Sequence, residues 1–274
     1  AAFKYLVLNV LGTLLLLVAV AAVYAVTGQL GFAAIARAWP ATPAAVAAAV
    51  AAALLLAFLV KAGAFPLFAW LPASYHTLPA PVLALFAGLL TKVGAYAVLR
   101  TCGGVLAPVS AVLSQALGWV AVATMLAGVL GAAYHWDLRR ILAFHIVSQI
   151  GYILLGVALA SEAGYAATLF YTVHHIVVKA NLFLIAAIVA RLAGSYDLRR
   201  IGGVLAARPA LAALFAVPAL SLVGVPPLSG FWAKLLVLQE ALAQGRVAWT
   251  AVALAVSALT LYSMVKVWME ACWK

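Results

Sequence analysis

The stretch Leu59 to Pro72 reads LVKAGAFPLFAWLP. Lys61 closes a run of about twenty apolar residues, the length that crosses a bilayer as a helix. Pro66 follows five positions later, where its ring and missing N–H interrupt a helix. A strongly hydrated side chain and a helix break are both costly at membrane depth, so their proximity calls for a common cause.

Of 274 residues, 69% are hydrophobic and 8% charged, far less charge than a soluble domain carries. Repeated apolar runs of about twenty residues give the fold class: an all-α, polytopic membrane helix bundle. The short alternating segments of a β-barrel are missing from the pattern. The formal charge of +11 does not point to nucleic acid, because the basic residues form no continuous stripe and flank the apolar spans. Cys102 and Cys272 are the two cysteines, with no CxxC and no cysteine–histidine cluster. Two buried thiols are expected, and no metal or cofactor. The chain opens on AAFKYLVLNV, without an initiator methionine or a signal-peptide layout, and reads as a piece of a longer protein.

Glycine, proline and charge bound eight expected spans, near 3–27, 44–74 (interrupted), 80–101, 107–134, 139–160, 163–192, 207–243 (interrupted) and 247–271. No long linker divides them, so 1–274 is expected to be a single transmembrane domain. Counting basic residues in alternate loops sets the orientation. Lys4, Arg139, Arg140, Arg191, Arg199, Arg200, Arg208, Lys266 and Lys274 fall on one side, and Arg37, Arg100 and Arg246 on the other. The richer side is expected in the cytoplasm, together with residue 1. Lys266 reads as a flank that snorkels toward headgroups. WDLRRI (136–141) and YDLRRI (196–201) repeat in two cytoplasmic loops. There Asp137 and Asp197 suit the N-caps of the segments that follow.

The remaining basic residues, Lys61, Lys92, Lys179 and Lys234, lie inside spans. Each costs roughly 2.5–3.5 kcal/mol if it faces lipid. Lys92 and Lys179 have apolar runs on both sides, which makes snorkelling poor and a buried, water-connected place the better reading. A low dielectric favours the neutral form of an amine and nearby water opposes this, so a buried amine can exchange protons where a surface one cannot. His175 and Lys179 are four apart and share a helical face, with Tyr171 a turn earlier and His174 beside it. A histidine that changes charge near neutral pH can link lysines into a relay. It can also be a hydrogen-bonded structural group, or a tetrapyrrole ligand; lysine on the same face argues against a pigment. Ser148 and Gln149 add polar atoms to the neighbouring span.

A second broken span, FAVPALSLVGVPPLSGFWAKLLVLQEAL, holds Pro218, Gly224, Pro226, Pro227 and Gly230, then Lys234. Carbonyls freed by a break survive in a bilayer only inside protein or beside water. Two breaks, each with a lysine within about two turns, are the sequence signature of an ion pathway in transporters built from inverted repeats. The common cause sought above is that a broken helix supplies the water and dipoles that make a charge tolerable.

At these residues the chain resembles a known family. KAGAFPLFAWLPASYHTLPAPVLALFAGLLTKVGAY, DLRRILAFHIVSQIGY, FYTVHHIVVKANLFL and VGVPPLSGFWAK are similar to the antiporter-like subunits shared by Mrp-type sodium/proton antiporters and respiratory complex I. The wording is nearest to the D-type subunits of the Mrp branch. The resemblance implies fourteen helices with two inverted five-helix repeats, of which this chain supplies the sixth to the thirteenth. The N-terminal helices and the C-terminal end are then missing. It also implies that Lys61, Lys92, His175, Lys179 and Lys234 line a hydrated axis, and that the glutamate paired with Lys61 lies upstream of residue 1. Asp137, Glu162, Asp197, Glu240 and Glu270 read as interfacial or span-end groups, with Glu240 a marginal path member. This piece is therefore not expected to run a full cycle.

The expected function is proton translocation in a multisubunit Na+/H+ antiporter of a bacterial inner membrane. Its partners would be the other subunits, the ions Na+ and H+, and lipid. The alternatives are a proton-pumping subunit of a complex I-like quinone oxidoreductase or membrane-bound hydrogenase, and a non-conducting scaffold. No covalent chemistry is expected of this chain itself.

Overall fold

In hydrocarbon the backbone polar groups have only one another for partners, so apolar runs like these fold into helices. The computed structural model describes residues 2–106 and 111–274. The Lys4 side chain, counted above among the flanks, and residues 107–110 at the expected start of the fourth span lie outside the described residues. The helices are α1 (Ala2–Thr27), α2 (Phe32–Ala38), α3 (Ala44–Ala62), α4 (Trp70–Tyr75), α5 (Ala80–Leu85), α6 (Thr91–Arg100), α7 (Ala111–Tyr134), α8 (Leu138–Ala158), α9 (Glu162–Ala193), α10 (Val204–Ala207), α11 (Pro209–Val223), α12 (Ser229–Ala243) and α13 (Val247–Trp268).

Among the described residues, seven helical stretches are long and apolar enough to cross a membrane. The half-helices α11 and α12 supply the eighth expected span. Three local features were not anticipated. α2 is a short helix between the first two spans. The third span, continuous from Ala80 to Val105, contains π-helical turns at Phe86–Leu90 and Thr101–Val105. A further π turn, Met269–Trp273, follows α13.

Both expected breaks are present, built alike. Gly63 ends α3 in the left-handed region (φ 74°) and Gly224 ends α11 there (φ 96°), a conformation with little steric cost only for glycine. Ala64 N–H donates to Leu59 O and Gly63 N–H to Val60 O. Val225 N–H donates to Leu220 O and Gly224 N–H to Ser221 O in the same pattern. These paired bonds satisfy carbonyls that the interruption frees. α3 opens the second span and α11 the seventh, so in a bundle of alternating spans the two half-helices run in opposite directions.

α8 is the centre of the core, with every residue from His145 to Leu159 buried. Glycines let α7 and α8 pack backbone to backbone: a Cβ at position 128 would lie 2.2 Å from Ser148 N. Small residues drive such close helix contact in membranes. Cys102 and Cys272 are both buried and free.

The repeated DLRR loops lie side by side. Leu138 N–H donates to Tyr196 O and Leu198 N–H to Trp136 O, each at 2.9 Å. Asp137 caps α8 by accepting from the backbone N–H groups of Arg139 and Arg140, and Asp197 accepts from Arg199 N–H. The arginines cross over: Arg139 stacks on Tyr196 and Arg199 faces Trp136. Lys266, expected to snorkel outward, is half-buried and caps the carboxyl end of α7. Its Nζ donates to Ala133 O at 2.7 Å and His135 O at 2.8 Å. Macrodipole and orphan carbonyls at that end suit a cation, which outweighs a reach to headgroups.

Candidate functional site

α9 places Tyr171, His174, His175 and Lys179 on its buried side, in contact with α8, α11, α12 and the π turn before α6. His175 and Lys179 are fully buried, while Lys92 and Lys234 are 2% and 6% exposed. Their side chains lie inside the bundle rather than on its outer surface.

Main-chain carbonyls receive all four intramembrane amines. Lys92 Nζ donates to Ala87 O in the π turn preceding it, where the wider helix leaves a carbonyl free. Lys179 Nζ donates to Leu142 O of α8 at 3.2 Å. Lys234 Nζ donates to Val223 O at 2.7 Å and Ser257 Oγ at 3.0 Å, and lies 5.0 Å from the Tyr152 ring centroid. Lys61 Nζ donates to Asn9 O at 3.0 Å and Thr13 Oγ1 at 2.9 Å of α1.

Among the described residues, the ion pairs use other cations: Arg139–Asp137, Arg199–Asp197 and Lys274–Glu270. Glu240, in the last turn of α12, accepts from Ser161 Oγ and Gln244 Nε2, each at 2.7 Å.

The adjacent histidines of α9 divide their directions. His174 Nδ1 lies 2.8 Å from Ser229 Oγ, which lies 3.2 Å from Ser221 Oγ, so His174 meets the second break. His175 is close enough to Lys92, Lys179, His174 and His145 to feel each electrostatically, and neither ring nitrogen has a protein partner. Tyr171 donates to Gln149 Oε1 at 2.6 Å and stacks on Tyr152 at 5.5 Å. Gln149 Nε2, Ser148 Oγ, Thr91 Oγ1 and His145 Nδ1 are likewise buried without protein partners. Orphan polar atoms concentrated in one region of a core are the usual seats of internal water.

The structure therefore brings Lys92, His175 and Lys179 together and joins them to Lys234 through Tyr171, Tyr152 and His174. Lys61 stands apart. It is half-buried on a groove of about 560 Å³ lined by Tyr5, Asn9, Thr13, Phe58 and Trp70 among others, and its hydrogen bonds go to α1. Pro66 sits in the first break and Pro226 and Pro227 in the second, with Gly230 just after it in the first turn of α12. A Cβ at Gly230 would fall 1.6 Å from Ser221 O and 3.0 Å from His174 Cε1, so only glycine fits beneath that histidine. Sequence reading passed over His145, Tyr152, Ser257 and Ser263. His145, Gln149 and Tyr152 recur at helical spacing along one face of α8, a signal that was available.

The profile of the family described as NADH:quinone oxidoreductase/Mrp antiporter, TM, matches residues 1–261. The chain belongs to this family. Within the NADH:quinone oxidoreductase/Mrp antiporter family it is 41% identical over 273 residues to the D subunit of the Na(+)/H(+) antiporter of Alkalihalophilus pseudofirmus, covering 99% of this chain and 55% of that protein. It superposes on a chain of the Mrp complex from a Dietzia species with a TM-score of 0.92 at 40% identity, covering 98% of this chain and 50% of the other. A chain of respiratory complex I from Thermus thermophilus gives a TM-score of 0.91 at 26% identity, with 99% and 58% covered. The chain spans about half the length of these relatives. All-helical architecture with two broken spans is thus the family's membrane-subunit fold.

Proposed function

We propose that this chain is part of a proton-translocating subunit of a multisubunit Na+/H+ antiporter, in which protons move along Lys92, His175, Lys179 and Lys234 through internal water. The observation that carries this reading is four intramembrane ammonium groups held by carbonyl and hydroxyl oxygens rather than carboxylates. An amine keeps such a bond whether it carries two hydrogens or three, so its proton can leave without dismantling the site. The 41% identity to an antiporter D subunit supports the driver. Partners would be the other antiporter subunits, and the place a bacterial inner membrane with residue 1 on the cytoplasmic side, as the basic loops suggest. The chain would be a transporter component without covalent chemistry of its own.

The likeness to complex I favours one second reading, the same relay driven by a redox reaction elsewhere in the assembly. Lys179→Ala and Lys234→Ala, made in the complete complex and assayed for sodium-driven proton movement in vesicles, test the first reading. Loss of exchange with assembly intact supports it, and near-normal exchange in both variants removes the relay. Quinone-linked oxidoreductase activity co-purifying with the complete protein would select the redox-driven form.

A further inference from the structure

We infer that His145 and Ser263 form a side branch, carrying protons between the central polar axis and the end of the bundle where the DLRR loops lie. The inference rests on the relay reading above and adds a route that it does not contain.

His145 is fully buried in α8, and its Nε2 lies 2.9 Å from Ser263 Oγ of α13, also fully buried. Its Nδ1 is buried without a protein partner. The ring thus has one nitrogen engaged by α13 and one without a protein partner. Lys179 is tied to Leu142 O, one turn before His145 on the same helix. The charged and titratable groups that bear on His145 are Lys179 and His175 from α9, Lys234 from α12 and Lys266 from α13. They come from three packed helices, and none is a carboxylate.

The branch continues outward. Ser263 is three residues, just under one turn, before Lys266 on α13, and Lys266 holds the carbonyls of Ala133 and His135. His135 also borders a surface cavity of about 530 Å³ lined by His76, Tyr134, Trp136, Asp137, Arg140, Asp197 and Arg199. His135 lies outside the spans, and burial first, then the charges of Arg140 and Lys266, hold it below the ordinary imidazole range; Asp137 opposes this. The Nδ1 of His135 is buried without a protein partner.

The step balances as a relay within hydrogen bonds. His145 Nδ1 takes a proton from a water that Lys179 reprotonates, and the Nε2–H bond breaks as its proton passes to Ser263 Oγ. The hydroxyl passes its own hydrogen to a water on the side of Lys266, and a flip of the imidazole ring returns an N–H to Ser263. Run backward, the same sequence loads the axis.

The test uses the complete antiporter complex in inverted vesicles, with H145Q, S263A, S263T and, as reference, K179A. Expected are an exchange rate lowered about tenfold in H145Q, less than the roughly hundredfold or more that follows loss of an essential acid–base group because the branch is a side route, and a smaller loss in S263A. The pH–activity profile should be displaced in both variants, and S263T, which restores the hydroxyl, should recover most of the S263A loss. Should H145Q fail to assemble, the S263A and S263T profiles decide. Wild-type rate and profile in H145Q and S263A, with K179A inactive, overturn the branch and leave the relay standing. Normal exchange in K179A overturns the relay and the branch together.

Discussion

Lys234 Nζ lies 2.7 Å from the carbonyl oxygen of Val223, the last residue of the half-helix α11. The carboxyl end of a helix carries roughly half a negative charge. A partial charge that cannot be protonated steadies the cation, and the amine remains free to lose its proton. Lys61, in the last turn of α3, does not repeat the arrangement, because its amine turns to Asn9 O and Thr13 Oγ1 of α1. The second broken helix thus does for Lys234 what a carboxylate does for a surface lysine.

If the amine must change protonation, a permanent cation should not replace it. Lys234→Arg keeps the charge but cannot deprotonate near neutral pH. Exchange in the complete complex should fall at least about tenfold, as in Lys234→Ala. Full activity in the arginine variant would mean that a fixed charge suffices.

Gly230→Ala tests the packing of the second break. The added methyl meets Ser221 O and the His174 ring, and overpacking of this kind costs about 1–3 kcal/mol. A lowered thermal midpoint in detergent with reduced exchange is expected. Gly104→Ala, where the nearest atom is the flexible end of Arg100 at 3.9 Å, should leave the midpoint in place.

The paired DLRR loops should respond to acid. Arg199, through its side chain first and its backbone N–H second, holds the Asp197 carboxyl below the usual carboxylate range. A folded-state value below the unfolded one means that the contribution is fully present above about pH 4 and is lost as pH falls through the folded value. Unfolding followed from neutral pH to about pH 3 should show this limb in the natural chain and a shallower one in Asp197→Asn. Asp137→Ala, removing the cap of α8, should cost about 1 kcal/mol at neutral pH.

Much of this was legible in the sequence because membranes punish local errors. An apolar run of about twenty residues, or a lysine within one, has few outcomes in hydrocarbon, so the spans, both breaks and the burial of Lys92, Lys179 and Lys234 could be read directly. His145 could be noticed from its spacing with Gln149 and Tyr152, but its pairing could not be read, because Ser263 is 118 residues away in sequence and serine is unremarkable in an apolar helix. The place of Lys61 on α1, and of Lys266 on the carbonyls of α7, depended on which helix end packed nearby. Spacing along one helix does not carry that information. The π turn that frees Ala87 O for Lys92 has no known pattern in FAGLL to announce it.

The most direct measurement is a structure of the complete complex at a resolution that shows internal water. Ordered waters are expected at His175, Gln149 Nε2 and His145 Nδ1, linking Lys92 and Lys179 to Lys234. A dry interior, with His175 satisfied by protein groups and the amines turned away from one another, would contradict proton passage through this bundle.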